Sequence, residues 1–211
     1  MKSVNIPDIA VARLSLYARN LALLDRKGVE MVSSATLADI CGVNPAQIRK
    51  DLAYFGEFGI RGLGYYVKEL LYEIRKILGL EKEWRLALVG VGRLGTALLK
   101  DVQFLNQGYV FVAAFERDPE RIGMQVGDVA VASLDAINPL VKEKGVGLGV
   151  IAVGPPWAQE AADRLVDAGV CGVLNFAPVQ LQCPAHVHVE NVDLTLKLDV
   201  LSFKLTWPTS K

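Results

Sequence analysis

The hydrophobic rhythm of the chain divides it in two. Over the first 28 positions Ile9, Leu16, Leu21 and Leu24 recur with mixed helical spacing and predict one long helix. Asn5-Ile6-Pro7 suits its start, because a proline in the first turn lacks only an N–H that would have no partner. Lys27-Gly28 suits its stop. Ser33-Ser34 offers a cap for a short helix carrying Leu37, Ile40 and Cys41 and ended by Gly42. A third helix starts at once, with Asn44 as cap, Pro45 at the first position and Gln47 at the capping-box position. Ile48, Leu52 and Phe55 make its inward face and leave Gln47, Arg49, Lys50 and Tyr54 on the other. Gly56, Gly59, Gly62 and Gly64 then crowd a segment that suits a tight hairpin. A fourth helix, Val67 to Leu78, turns Leu70, Leu71, Ile74 and Ile77 inward.

Past Glu81-Lys82-Glu83 the pattern becomes one of short apolar runs alternating with helical stretches. Strands are expected at Leu86–Val89, Tyr109–Phe115, Val129–Val131, Val146–Val153 and Val170–Leu174. Helical spacing runs through Leu94, Leu98 and Val102, and again from Ala158 to Ala168. Such alternation predicts a parallel, doubly wound sheet. A last helix, Leu194 to Leu205, carries one stripe of Leu194, Leu198, Leu201 and Leu205 and another of Leu196, Val200 and Phe203. A helix apolar around most of its girth needs cover on two sides, which burial between two subunits supplies. The expected class is therefore α/β: an N-terminal winged helix-turn-helix domain (1–80), a Rossmann-like domain (81–193) and a terminal dimerisation helix (194–211).

Composition narrows the partners. The net charge is zero, which argues against a generally basic nucleic-acid binder, but residues 1–80 hold 11 Lys and Arg against 8 Asp and Glu. The remainder holds 12 against 15, so the halves are net +3 and −3. Cys41, Cys171 and Cys183 form no C-x-x-C pair and sit among apolar neighbours, as small buried hydrophobes do. Pro7 and Asp8 interrupt any leader-like run, and no apolar stretch approaches a membrane span. The expectation is a cytoplasmic protein with no membrane partner.

The candidate chemistry lies at two places. Gly90-Val91-Gly92-Arg93-Leu94-Gly95 stands between the first strand and helix of the second domain, a G-x-G-x-x-G in the order a dinucleotide site requires. Gly90 allows the tight turn, Gly92 lets backbone approach a pyrophosphate, and Gly95 lets helix and strand pack closely. The helix N-terminus then faces the phosphates. Glu116, 21 residues past Gly95 at a strand end, can take both ribose hydroxyls. Its neighbour Arg117 is of the type that supports a 2′-phosphate instead. Gly154-Pro155 and Asn175-Phe176 also follow strand ends, so all should converge on one crevice. In the first domain, helix-turn-helix plus hairpin is a winged helix, and its candidate DNA contacts are Ser34, Gln47, Arg49, Lys50, Tyr54, Arg61 and Gly62. His186 and His188 share one side of an extended run and read as a surface face, since no third ligand stands near.

Three blocks, QIRKDLAYFGEFGIRGLGYYV (47–67), LALVGVGRLGTAL (86–98) and GVLNFAP (172–178), closely resemble the Rex family of redox-sensing transcriptional repressors. The resemblance runs in order over nearly the whole chain. It implies a homodimer with a terminal helix exchanged between protomers and inserted near the partner's winged helix. It also implies binding to palindromic double-stranded operator DNA, weakened by NADH and tolerated or favoured by NAD⁺. A polar switch is implied between Arg19 of the first helix and Asp193 before the last. The family's third switch partner, a Tyr, falls at Asp101 here, which could pair with Arg19 but cannot stack.

Two other functions compete. An NAD-linked dehydrogenase with a helical extension needs a proton donor or acceptor near the nicotinamide, and the strand ends offer Gly-Pro-Pro and Asn-Phe-Ala-Pro instead. Coenzyme A would bring a phosphorylated ribose, which Glu116 disfavours. The sequence therefore reads as a repressor sensing the NADH/NAD⁺ ratio, with no catalytic residues and no metal.

Overall fold

The computed structural model describes residues 6–207; Asn5 and the last four residues of the terminal segment lie outside them. The chain divides into two compact units, Met1–Lys82 and Glu83–Lys211. The first contains α1 (Asp8–Arg26), β1 (Met31–Val32), α2 (Ser34–Cys41), α3 (Pro45–Ala53), β2 (Tyr65–Tyr66) and α4 (Val67–Ile77). Ser33 caps α2 by accepting from the Thr36 amide at 3.0 Å, and Asn44 caps α3 by accepting from Ala46 at 2.8 Å. Leu14, Tyr17, Leu21, Leu37, Ile48, Leu70 and Ile74 form one core, each aliphatic contributing about 1.5–3 kcal/mol by burial. Gly42 and Val43 separate α2 from α3, which is the helix-turn-helix.

The hairpin after α3 is short. Ile60 bridges Gly64, and β2 pairs antiparallel with β1. Gly64 has φ +111°, and a Cβ there would run into the Val32 carbonyl, so only glycine lets the wing lie against β1.

The second unit holds β3 (Trp84–Val89), α5 (Arg93–Lys100), α6 (Val102–Asn106), β4 (Tyr109–Glu116), β5 (Gln125–Val126), β6 (Val129–Ser133), α7 (Ile137–Glu143), β7 (Leu148–Ile151), α8 (Pro155–Asp167), β8 (Gly172–Asn175), β9 (His188–Asn191) and α9 (Leu194–Thr206). The sheet order is β5-β6-β4-β3-β7-β8-β9, parallel except for the β5–β6 edge. Leaving β5 aside, that is the 3-2-1-4-5-6 order of a doubly wound dinucleotide fold. Alternation along β3 sends Ala87 and Val89 to the face covered by α7 and α8, and Leu86 and Leu88 to the other.

Several expectations need correction. Helical spacing through Val102 suggested one helix, yet the chain breaks at Asp101, with φ −81° and ψ 106°. The Asp101 carboxylate accepts from the Gln103 amide at 2.9 Å and starts α6, leaving Val102 exposed. A short polar side chain that can cap competes with helix continuation. The β5 edge and α7 were not expected. Cys41 is buried and Cys183 half-buried, whereas Cys171 is exposed. His186 and His188 are exposed. No helix of the described residues is long and apolar enough to cross a membrane.

Candidate functional site

The strand order of the parallel sheet switches direction between β3 and β7, where the connections leaving the two strands part to opposite sides. A cleft of about 230 Å³ opens there, walled by Gly90, Gly92, Glu116, Arg117, Val153, Gly154 and Trp157. Gly90 sits at φ +97°, with the Ala152 carbonyl 2.6 Å from where a Cβ would stand. Gly95 is buried against Gly90, whose carbonyl any Cβ at Gly95 would strike. Gly92 is different: its φ is −71° and nothing lies within 4 Å of an added Cβ. The open space at Gly92 is the space a ligand's phosphates would need, beside the start of α5. Arg93 and Leu94 are exposed on the first turn of that helix.

Glu116 is held rather than free to swing. Its Oε2 accepts from the Val91 amide at 2.8 Å, and its Oε1 from the amides of Arg117 and Asp118 at 2.7 and 3.2 Å. The Val91 carbonyl in turn accepts from Arg121 Nη1 at 2.6 Å. Carboxylate and guanidinium thus clamp the glycine loop from both sides. The Arg117 guanidinium stacks 3.5 Å from the centre of the Trp157 ring, a pairing that gives the cleft a flat wall. Pro155 opens α8 beside Gly154.

Asn175 and Phe176 do not line this cleft. Asn175 is fully buried; its amide donates to the carbonyls of Ala177 and Val179 and to Asn191 Oδ1, and its oxygen accepts from the Ala177 amide. Its side chain holds the β8 loop together. Phe176 packs on the opposite face of the sheet, beside Leu88 and Val150.

In the first unit a concave surface of about 530 Å³ lies between the start of α2, α3 and the wing, lined by Ser34, Arg49, Arg61 and Gly62 among others. Arg49 Nη1 donates to Ser34 Oγ at 3.1 Å, which fixes the guanidinium over the turn. Arg61 and Gly62 are exposed at the tip of the wing, Lys50 is exposed on α3, and Tyr54 is half-buried at its end. Gln47 does not close a capping box. Its Nε2 donates to Asp51 Oδ1 at 2.7 Å.

Asp51 was not foreseen as a functional residue. It is completely buried on the inward face of α3, and Arg13 grips it through Nε at 2.6 Å and Nη2 at 2.7 Å while the Tyr17 hydroxyl donates at 2.8 Å. Burial alone would raise the Asp51 carboxyl; the bonds from Arg13, Tyr17 and Gln47 outweigh it and hold the carboxyl below its ordinary value. Burial, then the Asp51 hydrogen bond, pushes the Tyr17 phenol up. The sequence carried one signal: Asp51 falls among Ile48, Leu52 and Phe55 on an apolar face, where a carboxylate requires a partner. Trp157 and Arg121 carried none.

Arg19 is exposed on α1, and Asp101 is exposed between α5 and α6 rather than within a helix. Asp193 caps α9, accepting from Thr195 N at 2.8 Å, Thr195 Oγ1 at 2.6 Å and Leu196 N at 3.4 Å. The Thr195 bonds hold its carboxyl below the ordinary range. No buried residue occurs on α9; Leu194, Leu198 and Leu205 are 70%, 61% and 77% exposed.

The comparisons with known proteins cover both units. A family model described as a putative DNA-binding protein N-terminus matches residues 5–53, and one described as a CoA binding domain matches residues 81–179. The redox-sensing transcriptional repressor Rex of Syntrophobacter fumaroxidans is 49% identical over 208 residues, covering 98% of this chain and 99% of its own. The chain belongs to the Rex family of redox-sensing transcriptional repressors. A solved Rex-family structure, RSP in complex with beta-NAD⁺ and operator DNA, matches with a TM-score of 0.91 at 34% identity, covering 97% of this chain and 94% of that one. RSP in complex with beta-NADH matches with a TM-score of 0.86 at 32% identity, covering 97% and 96%.

Proposed function

We propose that this chain represses transcription as a homodimer, gripping a palindromic operator through α3 and the wing and letting go when NADH enters the cleft beside Gly92. The observation that carries the reading is the pairing, in one chain, of a winged helix with a dinucleotide cleft. RSP, of the same family and fold, has been solved with operator DNA and beta-NAD⁺ and with beta-NADH. In the first unit Gln47, Arg49 and Lys50 meet base edges in the major groove while Arg61 and the Gly62 backbone follow the phosphates, with Ser34 steadying Arg49. Tyr54 lies at the edge of that surface. In the second, the amides at the start of α5 take the pyrophosphate, Glu116 the ribose, and Arg117 with Trp157 the flat adenine.

The exposed apolar girth of α9, which a second subunit would cover, supports the dimer, as does the two-fold symmetry a palindrome requires. The domain division at 80, 193 and 211 follows from that assignment, with α9 as the exchanged element. A repressor of this kind works where the chromosome lies, in the cytoplasm. NADH can change operator affinity only by favouring one arrangement of the dimer over another. A hundredfold change needs about 2.7 kcal/mol of coupling. Arg19, Asp101 and Asp193 are the candidates for carrying it.

A dehydrogenase would need a proton carrier in the cleft; its described lining holds no His, Lys, Tyr or Cys, and of its two carboxylates Glu116 is engaged by backbone amides and Glu160 is paired with Arg164. The family model described as a CoA binding domain raises coenzyme A as a second ligand class. One titration separates these readings: fluorescence anisotropy of a labelled palindromic duplex against the full-length protein with NADH, NAD⁺ or coenzyme A added. Release by NADH, retention with NAD⁺ and indifference to coenzyme A are expected; release by coenzyme A alone would overturn the cofactor assignment.

A further inference from the structure

Asp51 lies beneath the face of α3 that carries Gln47, and the bond between them restricts what Gln47 can present. An ionised carboxylate has no hydrogen to donate, so only the NH₂ end of the Gln47 amide can face it. Asp51 cannot swing to follow Gln47, because Arg13 holds both of its oxygens and Tyr17 holds one of them. Gln47, four residues before Asp51, is therefore pinned by a buried anchor tied to Tyr17 of the unit's core. Among the described residues the Gln47 side chain has no hydrogen-bond partner other than Asp51. One N–H faces the carboxylate; the carbonyl oxygen and the second N–H remain.

We infer that Asp51 is a positioning residue for sequence readout, and that the amide edge it leaves on Gln47 reads an adenine in the major groove. The inference rests on α3 being the helix that meets DNA. An acceptor and a donor side by side match adenine N6–H and N7 and no other single base edge in that groove. An unpinned glutamine could turn its amide over and accept other edges, so the pinning supplies discrimination. Its rotamer freedom is also lost on folding rather than on binding, which favours affinity.

The experiment selects duplexes from a randomised operator library with the full-length protein and with Gln47→Ala, Asp51→Asn and the double variant. All are first checked for an intact thermal melt and for dimer size. Gln47→Ala and Asp51→Asn should relax the preference for adenine at the same position of each half-site, by about tenfold, while other positions hold. The double variant should relax it no further. Uniform weakening across all sequences, or relaxation at a position that Gln47→Ala leaves alone, would overturn the inference. Should Asp51→Asn fail to fold, the wild-type protein still decides. The Gln47 side-chain NH₂ signal, assigned by its loss in Gln47→Ala, should be shifted and motionally restricted without DNA; a mobile, random-coil signal would refute the pinning. Absence of any operator binding by wild type would instead refute the proposed function, and the spectrum would still report on the Asp51–Gln47 bond.

Discussion

Replacing Gly92 by alanine separates cofactor binding from folding. At φ −71° and ψ −159° the residue occupies extended backbone that alanine adopts without strain, and nothing stands within 4 Å of the new methyl. Gly92 is also the N-cap of α5, where alanine is poorer than glycine by somewhat under ~1 kcal/mol. Alanine narrows the unfolded ensemble by roughly 0.4–1 kcal/mol in compensation. Stability should therefore change by less than about 1 kcal/mol. The bound state is another matter, because in the proposed site the methyl would occupy the open space through which amides approach a pyrophosphate. Losing two charge-assisted hydrogen bonds at about 1.5–3 kcal/mol each predicts NADH binding at least a hundredfold weaker. Gly95→Ala is the contrast: its Cβ would strike the Gly90 carbonyl, so overpacking of roughly 1–3 kcal/mol should lower the melting temperature as well. Calorimetry with NADH, thermal melts and operator release by NADH measure all three. Gly92→Ala that binds NADH within threefold of wild type would mean that the pyrophosphate does not cross Gly92.

Other expectations follow from the same geometry. Arg49→Ala should blur sequence preference at roughly 1–3 kcal/mol if the guanidinium reads a guanine, whereas Arg61→Ala should weaken all duplexes and flatten the salt dependence of binding; anisotropy against salt distinguishes them. Glu116 should select NADH over NADPH, since a carboxylate lining the cleft would accept from a ribose 2′-hydroxyl and repel a 2′-phosphate; calorimetry with equal affinities would contradict this. Removing the residues after Val192 should leave a monomer or an aggregate with weak operator binding, read by light scattering. Asp193→Ala should keep the dimer but shrink the NADH response, and additivity with Arg19→Ala would show that the two share no contact. Asp51 is held below its ordinary carboxyl value in the folded state, so its contribution to stability is complete above about pH 4, the unfolded value. That contribution is lost as pH falls through the lowered folded value, and Asp51→Ala, which strands Arg13, should cost about 3–5 kcal/mol at neutral pH; melts of the isolated transition against pH test both.

The helices of the first unit, the helix-turn-helix with its Ser33 and Asn44 caps, the strand–helix alternation of the second and the position of the glycine loop could be read from the sequence alone, because each depends on contacts within a few residues; the β5 edge, α7 and the break between α5 and α6 could not. Hydrophobic period, a capping side chain and a glycine turn act locally, and they are enough to define strand, helix and stop. The fate of single side chains was decided only by the tertiary structure. Asn175 follows a strand end as the other cleft residues do, yet its amide satisfies buried carbonyls of its own loop instead of facing the cleft. Asp101 could continue a helix or cap a new one, and the chain takes the cap. Trp157 reaches the cleft because α8 starts at the sheet's reversal point, where Arg117 from the end of β4 stacks on it. Asp51 becomes an anchor only once α1 brings Arg13 and Tyr17 across from positions 38 and 34 residues away, a pairing no local pattern encodes. Burying a charge requires partners, and in a folded chain those partners come from wherever the core closes.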